Sequence, residues 1–240
     1  MKVDIFIPCF IDQLYPKTGE SFVKILEHAG CEVNYNPEQT CCGQPSFDSG
    51  YWKETRTLAT KFLDDFMSAE IIVSPSASCT GFIKNYYKKL FEEDQKQLEK
   101  VNEITPRIFE FSDFLVNQIK KTEFGSVFPH KVTFHDSCAG LREYGIKAEP
   151  RQLLENVKGL ELVEMDDITT CCGFGGTFAA KFQSISTAMT EQKVEHALKT
   201  EAEYIVSTEA SCLLNIQAYI NKQKLLIKTI HLADVLMSGI

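Results

Sequence analysis

A short motif occurs twice in this chain. Thr40-Cys41-Cys42-Gly43-Gln44 returns as Thr170-Cys171-Cys172-Gly173-Phe174, and around each copy stand two more cysteines in the same order. Cys9 precedes the first pair by 32 positions and Cys138 precedes the second by 33; Cys79 follows by 37 and Cys212 by 40. Eight of the nine cysteines obey this rule, and only Cys31 stands outside it. A chain patterned in this way is a tandem of two similar units, so its 240 residues divide into lobes of roughly 120, within the usual domain size.

The elements between the cysteines repeat as well. Lys2–Pro8 reads as a buried strand ending at Cys9, Ser21–Ala29 as a helix capped by Ser21 and stopped at Gly30, and Cys31–Tyr35 as a second strand. A helix over Trp52–Met67, a strand over Glu70–Pro75, a helix over Phe82–Phe91 and a strand over Arg107–Phe111 follow, and Ser112-Asp113 is expected to cap the last helix. In the second half Lys131–Phe134 leads to Cys138, Leu160–Val163 leads towards Cys171, Tyr204–Ser207 matches Ile71–Ser74, and Thr229–Leu236 matches Ile108–Leu115. The charged stretch Glu92–Lys100 has no counterpart and reads as a solvated helical extension. Lys120–Pro129 is the natural linker, which places domain 1 at residues 1–122 and domain 2 at 130–240.

Strands alternating with helices predict an α/β fold: two pseudo-repeated Rossmann-like lobes, each a mainly parallel four-stranded sheet with flanking helices. The loops after such strands line the ligand crevice. All eight patterned cysteines are expected on those loops, converging at one sheet edge in each lobe.

Composition narrows the function. With 25 Lys+Arg against 33 Asp+Glu the net charge is −8, and no basic stripe exists to neutralise phosphates, which argues against nucleic acid. The first residues carry an acid inside a short apolar run, unlike an export signal, and no run approaches the ~18 apolar residues of a membrane span. The expected compartment is the cytoplasm, where clustered cysteines bind metal or do redox work more often than they form structural disulfides.

Four thiolates gathered at one point repel one another and need a compensating cation. As soft ligands they select zinc, copper(I) or iron-sulfur clusters. Structural zinc sites space their cysteine pairs by two to four residues, whereas adjacent side chains such as Cys41-Cys42 and Cys171-Cys172 diverge, which suits a cluster whose irons lie apart. An iron-sulfur cluster in each lobe is therefore expected on Cys9, Cys41, Cys42 and Cys79 and on Cys138, Cys171, Cys172 and Cys212, with zinc as the alternative occupant and thiol-disulfide chemistry as a further one. Whether both lobes are loaded stays open. Gly43 and Gly173 are expected at positive φ, turning N–H groups towards the sulfurs. His135, three positions before Cys138, is a candidate cofactor neighbour. His231 is expected in a capping or surface role, and Cys31 in the core. No Ser/His/Asp arrangement, carboxylate pair, nicotinamide fingerprint or flavin fingerprint stands out, so no catalytic residue is assigned.

The succession Cys, Cys-Cys-Gly, Cys resembles the CCG cysteine-rich domain found in heterodisulfide reductase and in the iron-sulfur components of glycolate oxidase and anaerobic glycerol-3-phosphate dehydrogenase. Two such domains filling a chain of this length resemble the lactate-utilisation protein A family, also called the YkgE family. Cys41–Pro45, Cys171–Phe178, Ser211–Ile216 and His231–Met237 carry the likeness. It implies an electron-transfer subunit that holds 4Fe-4S clusters and works with a ferredoxin-type iron-sulfur protein and a third subunit in oxidising L-lactate to pyruvate. In the heterodisulfide reductase relative a Cys-x-x-Cys ends each domain and five cysteines hold a non-cubane cluster. Here Ser76 and Glu209 replace the first cysteine of that pair, leaving four thiols per lobe and the cluster type, cubane or non-cubane, open.

Overall fold

The computed structural model describes all 240 residues, Met1–Ile240. Each half of the chain contributes one four-stranded sheet whose strands all run parallel. The first has the order β2-β1-β3-β4, with β1 at Lys2–Ile5, β2 at Glu32–Tyr35, β3 at Ile72–Ser74 and β4 at Ile108–Glu110. The second has the same order one repeat on, β6-β5-β7-β8, from Lys131–Phe134 (β5), Glu161–Leu162 (β6), Tyr204–Ser207 (β7) and Lys228–His231 (β8). One inner strand of each half is almost wholly buried: every residue of β3, and Ile205, Val206 and Ser207 of β7. Strands buried on both faces read as continuous apolar runs, as parallel sheets require.

Packing stacks three apolar layers around the two sheets. One cluster draws on both halves, joining Val3, Phe22, Leu26, Phe111 and Phe114 to Phe134, Leu153, Leu154, Leu232 and Leu236. A second belongs to the first half (Phe6, Phe62, Phe66, Phe82, Tyr87) and a third to the second half (Cys172, Val194, Ile205, Ile216, Ile220). Helix Leu232–Met237 lies against helix Pro16–His28, where Thr18 Oγ1 donates to Asp234 Oδ2 at 2.7 Å. Apolar burial is the main stabilising term of a domain, and here much of it crosses between the halves. Cys31 sits in the shared layer, 7% exposed, as expected of a packed thiol.

Several boundaries differ from expectation, each for a local reason. The second helix starts at Pro16 rather than Ser21, because proline suits the first turn, where its missing N–H would have no partner. The helix expected over Phe82–Phe91 spans Ala77–Leu90; Ser76 Oγ accepts from Cys79 N and pins its start. The carboxylate of Glu110, not Ser112 or Asp113, caps the helix after β4, accepting from Ser112 N at 2.7 Å and Asp113 N at 3.2 Å. The charged stretch starts a separate helix, Gln95–Ile104, capped by Asp94, with Val101 and Ile104 buried. Wide helical turns occupy Phe114–Ile119 and Ala139–Tyr144. No helix is long and apolar enough to cross a membrane.

Candidate metal centres

Four of the eight patterned cysteines lie where loops were expected, and four do not. Cys41, Cys42, Cys171 and Cys172 are in loops, but Cys9 opens helix Cys9–Leu14, Cys79 and Cys212 sit in the first turns of helices Ala77–Leu90 and Ala210–Gln223, and Cys138 immediately precedes the turn Ala139–Tyr144. The correction has a simple cause. In a doubly wound sheet the strand-to-helix connection is so short that a residue just past the strand already belongs to the helix. The N–H of Phe10 reaches Cys9 and that of Ala139 reaches Cys138 in this way, although the neighbouring thiols and burial outweigh them.

Within each half the thiols form a string. Cys9 Sγ lies 3.7 Å from Cys41 Sγ, Cys42 Sγ lies 3.3 Å from Cys79 Sγ, and Cys41 and Cys42 join the two contacts. The second half repeats this, with Cys138 against Cys171, Cys171 against Cys172, and Cys172 against Cys212. The cysteine at the inner junction is held low in each string. Hydrogen bonds from Cys42 and Cys9 lower the Cys41 pKa, and those from Cys138 and Cys172 lower that of Cys171, with the N–H of the following glycine helping. The hydrogen bond to Cys41 raises Cys9 and Cys42, and the one to Cys171 raises Cys138 and Cys172, all with burial acting in the same direction.

Gly43 and Gly173 do what their spacing predicts. Their φ values are +93° and +83°, and each N–H points back to the preceding cysteine but one, 3.4 Å from Cys41 Sγ and from Cys171 Sγ. A Cβ at Gly173 would lie 2.5 Å from the Ser186 carbonyl oxygen, and one at Gly43 would lie 3.1 Å from Thr55 Cγ2. Only glycine fits either turn without strain.

All eight thiols line one cavity of about 120 Å³ between the halves. Phe10 and Phe174 meet edge to face across it, ring centres 5.4 Å apart. Asp48 and Glu209 are its only charged lining residues, and no lysine or arginine reaches it. Ser76 and Glu209, the two residues standing where a further cysteine was looked for, bind each other across the halves. Glu209 Oε2 accepts from Ser76 Oγ at 3.1 Å and Ser78 N at 2.9 Å, and its Oε1 accepts from Ser211 Oγ at 2.9 Å. Sequence reasoning noticed both positions but could not see that they pair.

His135 is fully buried, neither ring nitrogen has a hydrogen-bond partner, and burial, then the Lys193 ammonium, pushes its pKa down to about 3. Its nearest ligand atom and the sulfurs of Cys172 and Cys212 lie mutually within 4.8 Å, the one such triple of His, Cys, Asp or Glu side chains in the molecule. Lys193 had no sequence signal of its own, yet it is fully buried, its Nζ donating to the carbonyls of Asp167 at 3.0 Å and Ile168 at 3.2 Å. His231 caps helix Leu232–Met237, as foreseen, but is buried rather than on the surface; Ala233 N donates to its Nδ1, and Nε2 lies 3.1 Å from the Pro75 carbonyl oxygen.

The donor set fits a soft metal centre. Four thiols in each half, a glycine N–H turned to one of them and an orphaned imidazole beside the second set are the donors such a metal or iron-sulfur group requires.

Comparison with known proteins agrees with the duplication. The Cysteine-rich domain family, CCG, matches residues 3–84 and again 132–217. "Lactate utilization protein A 2" of Bacillus cereus is 40% identical over 240 residues, covering 100% of this chain and 99% of the relative. "Lactate utilization protein A" of Exiguobacterium is 41% identical over 241 residues, covering 100% and 98%. Among solved structures, a hypothetical protein from Helicobacter pylori superposes with a TM-score of 0.61 at 11% identity, covering 98% of this chain. The chain spans 48% of that structure's length, and the likeness speaks for the fold alone.

Proposed function

The chain belongs to the lactate utilization protein A family, built on two CCG cysteine-rich domains, and from that membership we propose that it is the iron-sulfur electron-transfer subunit of a multi-protein system oxidising L-lactate to pyruvate. Cys9, Cys41, Cys42 and Cys79 would hold one cluster and Cys138, Cys171, Cys172 and Cys212 the other, within domains 1–122 and 130–240. Gly43 and Gly173 turn N–H groups to the thiolates, and His135 adds a neutral imidazole beside the second quartet. When bound, such clusters carry single electrons, with potentials set by charge, exposure and hydrogen bonds to sulfur.

The observation that carries this reading is the cavity: eight thiols face it, and no basic side chain lines it. A hydroxy acid would enter as an anion with nothing to pair its carboxylate, beside Asp48 and Glu209. The protein's own groups therefore suit holding and passing electrons, while oxidation of the substrate falls to a third subunit and electron exchange to a ferredoxin-type partner in the cytoplasm. The test is the iron and acid-labile sulfide content of protein isolated without oxygen. The reading expects both in amounts to fill two centres; a colourless chain carrying zinc alone would refute it.

A second reading, thiol-disulfide reduction at the same residues, is favoured by the lowered pKa of Cys41 and Cys171, since the thiolate is the attacking species. Cleavage of a small disulfide by the isolated chain, with reductant supplied, decides it.

A further inference from the structure

The second half buries a cation and an imidazole where the first half buries two phenyl rings. His135 follows β5 as Phe6 follows β1, and Lys193 stands in helix Gln183–Leu198 where Phe62 stands in helix Trp52–Phe66. Phe6 packs edge to face on Phe62 and Phe66, with ring centres 5.0 and 5.9 Å apart. The rings of Phe6, Phe62 and Phe66 bring no charge and no N–H to the first quartet.

We propose that Lys193 and His135 hold the centre on Cys138, Cys171, Cys172 and Cys212 at a higher reduction potential than the centre on Cys9, Cys41, Cys42 and Cys79, so that a single electron given to the pair by a ferredoxin-type carrier comes to rest in the second half. The inference rests on the iron-sulfur reading above. Reduction adds one negative charge to a thiolate-bound cluster and breaks no bond. A buried cation stabilises that charge more strongly than the same cation in water. No carboxylate side chain pairs with Lys193, whose ammonium is held by two carbonyl oxygens. Of the acids nearby, Asp136 is paired with Arg151, whose two terminal nitrogens lie 3.0 and 2.8 Å from its oxygens, and the Asp167 side chain is exposed to solvent, which screens it. Glu209, beside Cys212 and hydrogen-bonded to Ser76, Ser78 and Ser211, works against the difference and sets the size that Lys193 must exceed. Neither ring nitrogen of His135 has a hydrogen-bond partner, and one of them lies within 4.8 Å of the sulfurs of Cys172 and Cys212; an N–H turned to those sulfurs on the loaded centre would raise its potential.

The experiment is a redox titration of the anaerobically loaded full chain followed by electron paramagnetic resonance, with Cys42→Ser and Cys172→Ser used to assign each signal to its half. The second-half centre is expected to titrate higher. Lys193→Met and His135→Phe should each lower its potential by about a tenfold change in the one-electron equilibrium, ~59 mV, without moving the first-half centre. Lys193→Arg and His135→Gln, which keep the charge and an N–H donor, should restore most of the difference. Equal potentials, or a difference that survives Lys193→Met and His135→Phe, would overturn the inference and leave the iron-sulfur reading standing. Loss of iron from the second centre in His135→Gln would also overturn it, by making the imidazole a ligand. A chain that takes up no iron and sulfide would overturn both.

Discussion

In the first half the helix behind the cysteine pair presses Phe62 and Phe66 onto Phe6; in the second, the corresponding helix presents Lys193 to His135. The two sheets have the same strand order and equivalent thiol strings, so the backbone has been kept while its lining has diverged. An architecture of parallel strands and first-turn cysteines needs only volume behind the thiols. Whether that volume is phenyl or ammonium changes the electrostatics of the site and leaves its geometry alone.

The comparison breaks most visibly if the linings are exchanged. Phe62→Lys should destabilise the first half by about 4 kcal/mol or more, because it removes a packed ring and buries an ammonium with no prepared acceptor. Lys193→Met should cost no more than about 1–2 kcal/mol, since two hydrogen bonds are lost but a buried charge is removed. Denaturant unfolding midpoints measure both, and similar losses would show that the apolar and charged linings are interchangeable.

The glycines sharpen it next. Gly173→Ala meets a backbone carbonyl at 2.5 Å and Gly43→Ala meets a methyl group at 3.1 Å. Both pay about 1–3 kcal/mol for the left-handed backbone, and Gly173→Ala should cost at least about 1 kcal/mol beyond Gly43→Ala from the added clash.

The last strands carry a pH contrast, because Glu110 pairs in register with Ser74 and His231 with Ser207. Burial raises Glu110 from 4.5 to about 8. Its contribution is fully present below pH 4.5 and is lost as the pH rises to about 8. Burial lowers His231 from 6.5, so its contribution is present above pH 6.5 and is lost as the pH falls below it. Unfolding free energy measured against pH should therefore flatten on its alkaline limb in Glu110→Gln and on its acid limb in His231→Gln, each by at most about 1.4 kcal/mol per pH unit.

The smallest effect concerns the carbonyls of the paired cysteines. Tyr87 Oη donates to the Cys42 carbonyl at 2.8 Å, whereas Thr190 Oγ1 and Asn215 Nδ2 share the Cys172 carbonyl at 2.8 and 3.0 Å. Tyr87→Phe should cost about 1 kcal/mol and Thr190→Val less, because Asn215 remains. Thermal unfolding of the two variants side by side reads the difference.

Much of this was legible in the residues. The doubled cysteine pattern and the alternation of strand and helix sufficed for two mainly parallel four-stranded sheets, though not for their strand order, and Gly43 and Gly173 announced their positive φ. Three things were not legible. Helix starts at Pro16 and Ala77 depend on fixed φ and on a single Ser76 hydrogen bond, which leave little apolar periodicity to read. The facing of both quartets onto one cavity depends on how the sheets pack, through the shared layer of Phe22, Phe111, Phe134 and Leu232, and spacing along the chain says nothing of that. Lys193 reads in sequence as an ordinary helix lysine, because burial of a long cation depends on two loop carbonyls that no local pattern marks.

The most direct test counts iron and acid-labile sulfide per chain, after anaerobic isolation, in the native protein and in Cys42→Ser and Cys172→Ser. Two equivalent thiol strings predict that each substitution removes about half of both elements and that the double variant removes nearly all. Iron that is absent from the native chain, or that neither substitution diminishes, would contradict the assignment of these eight cysteines.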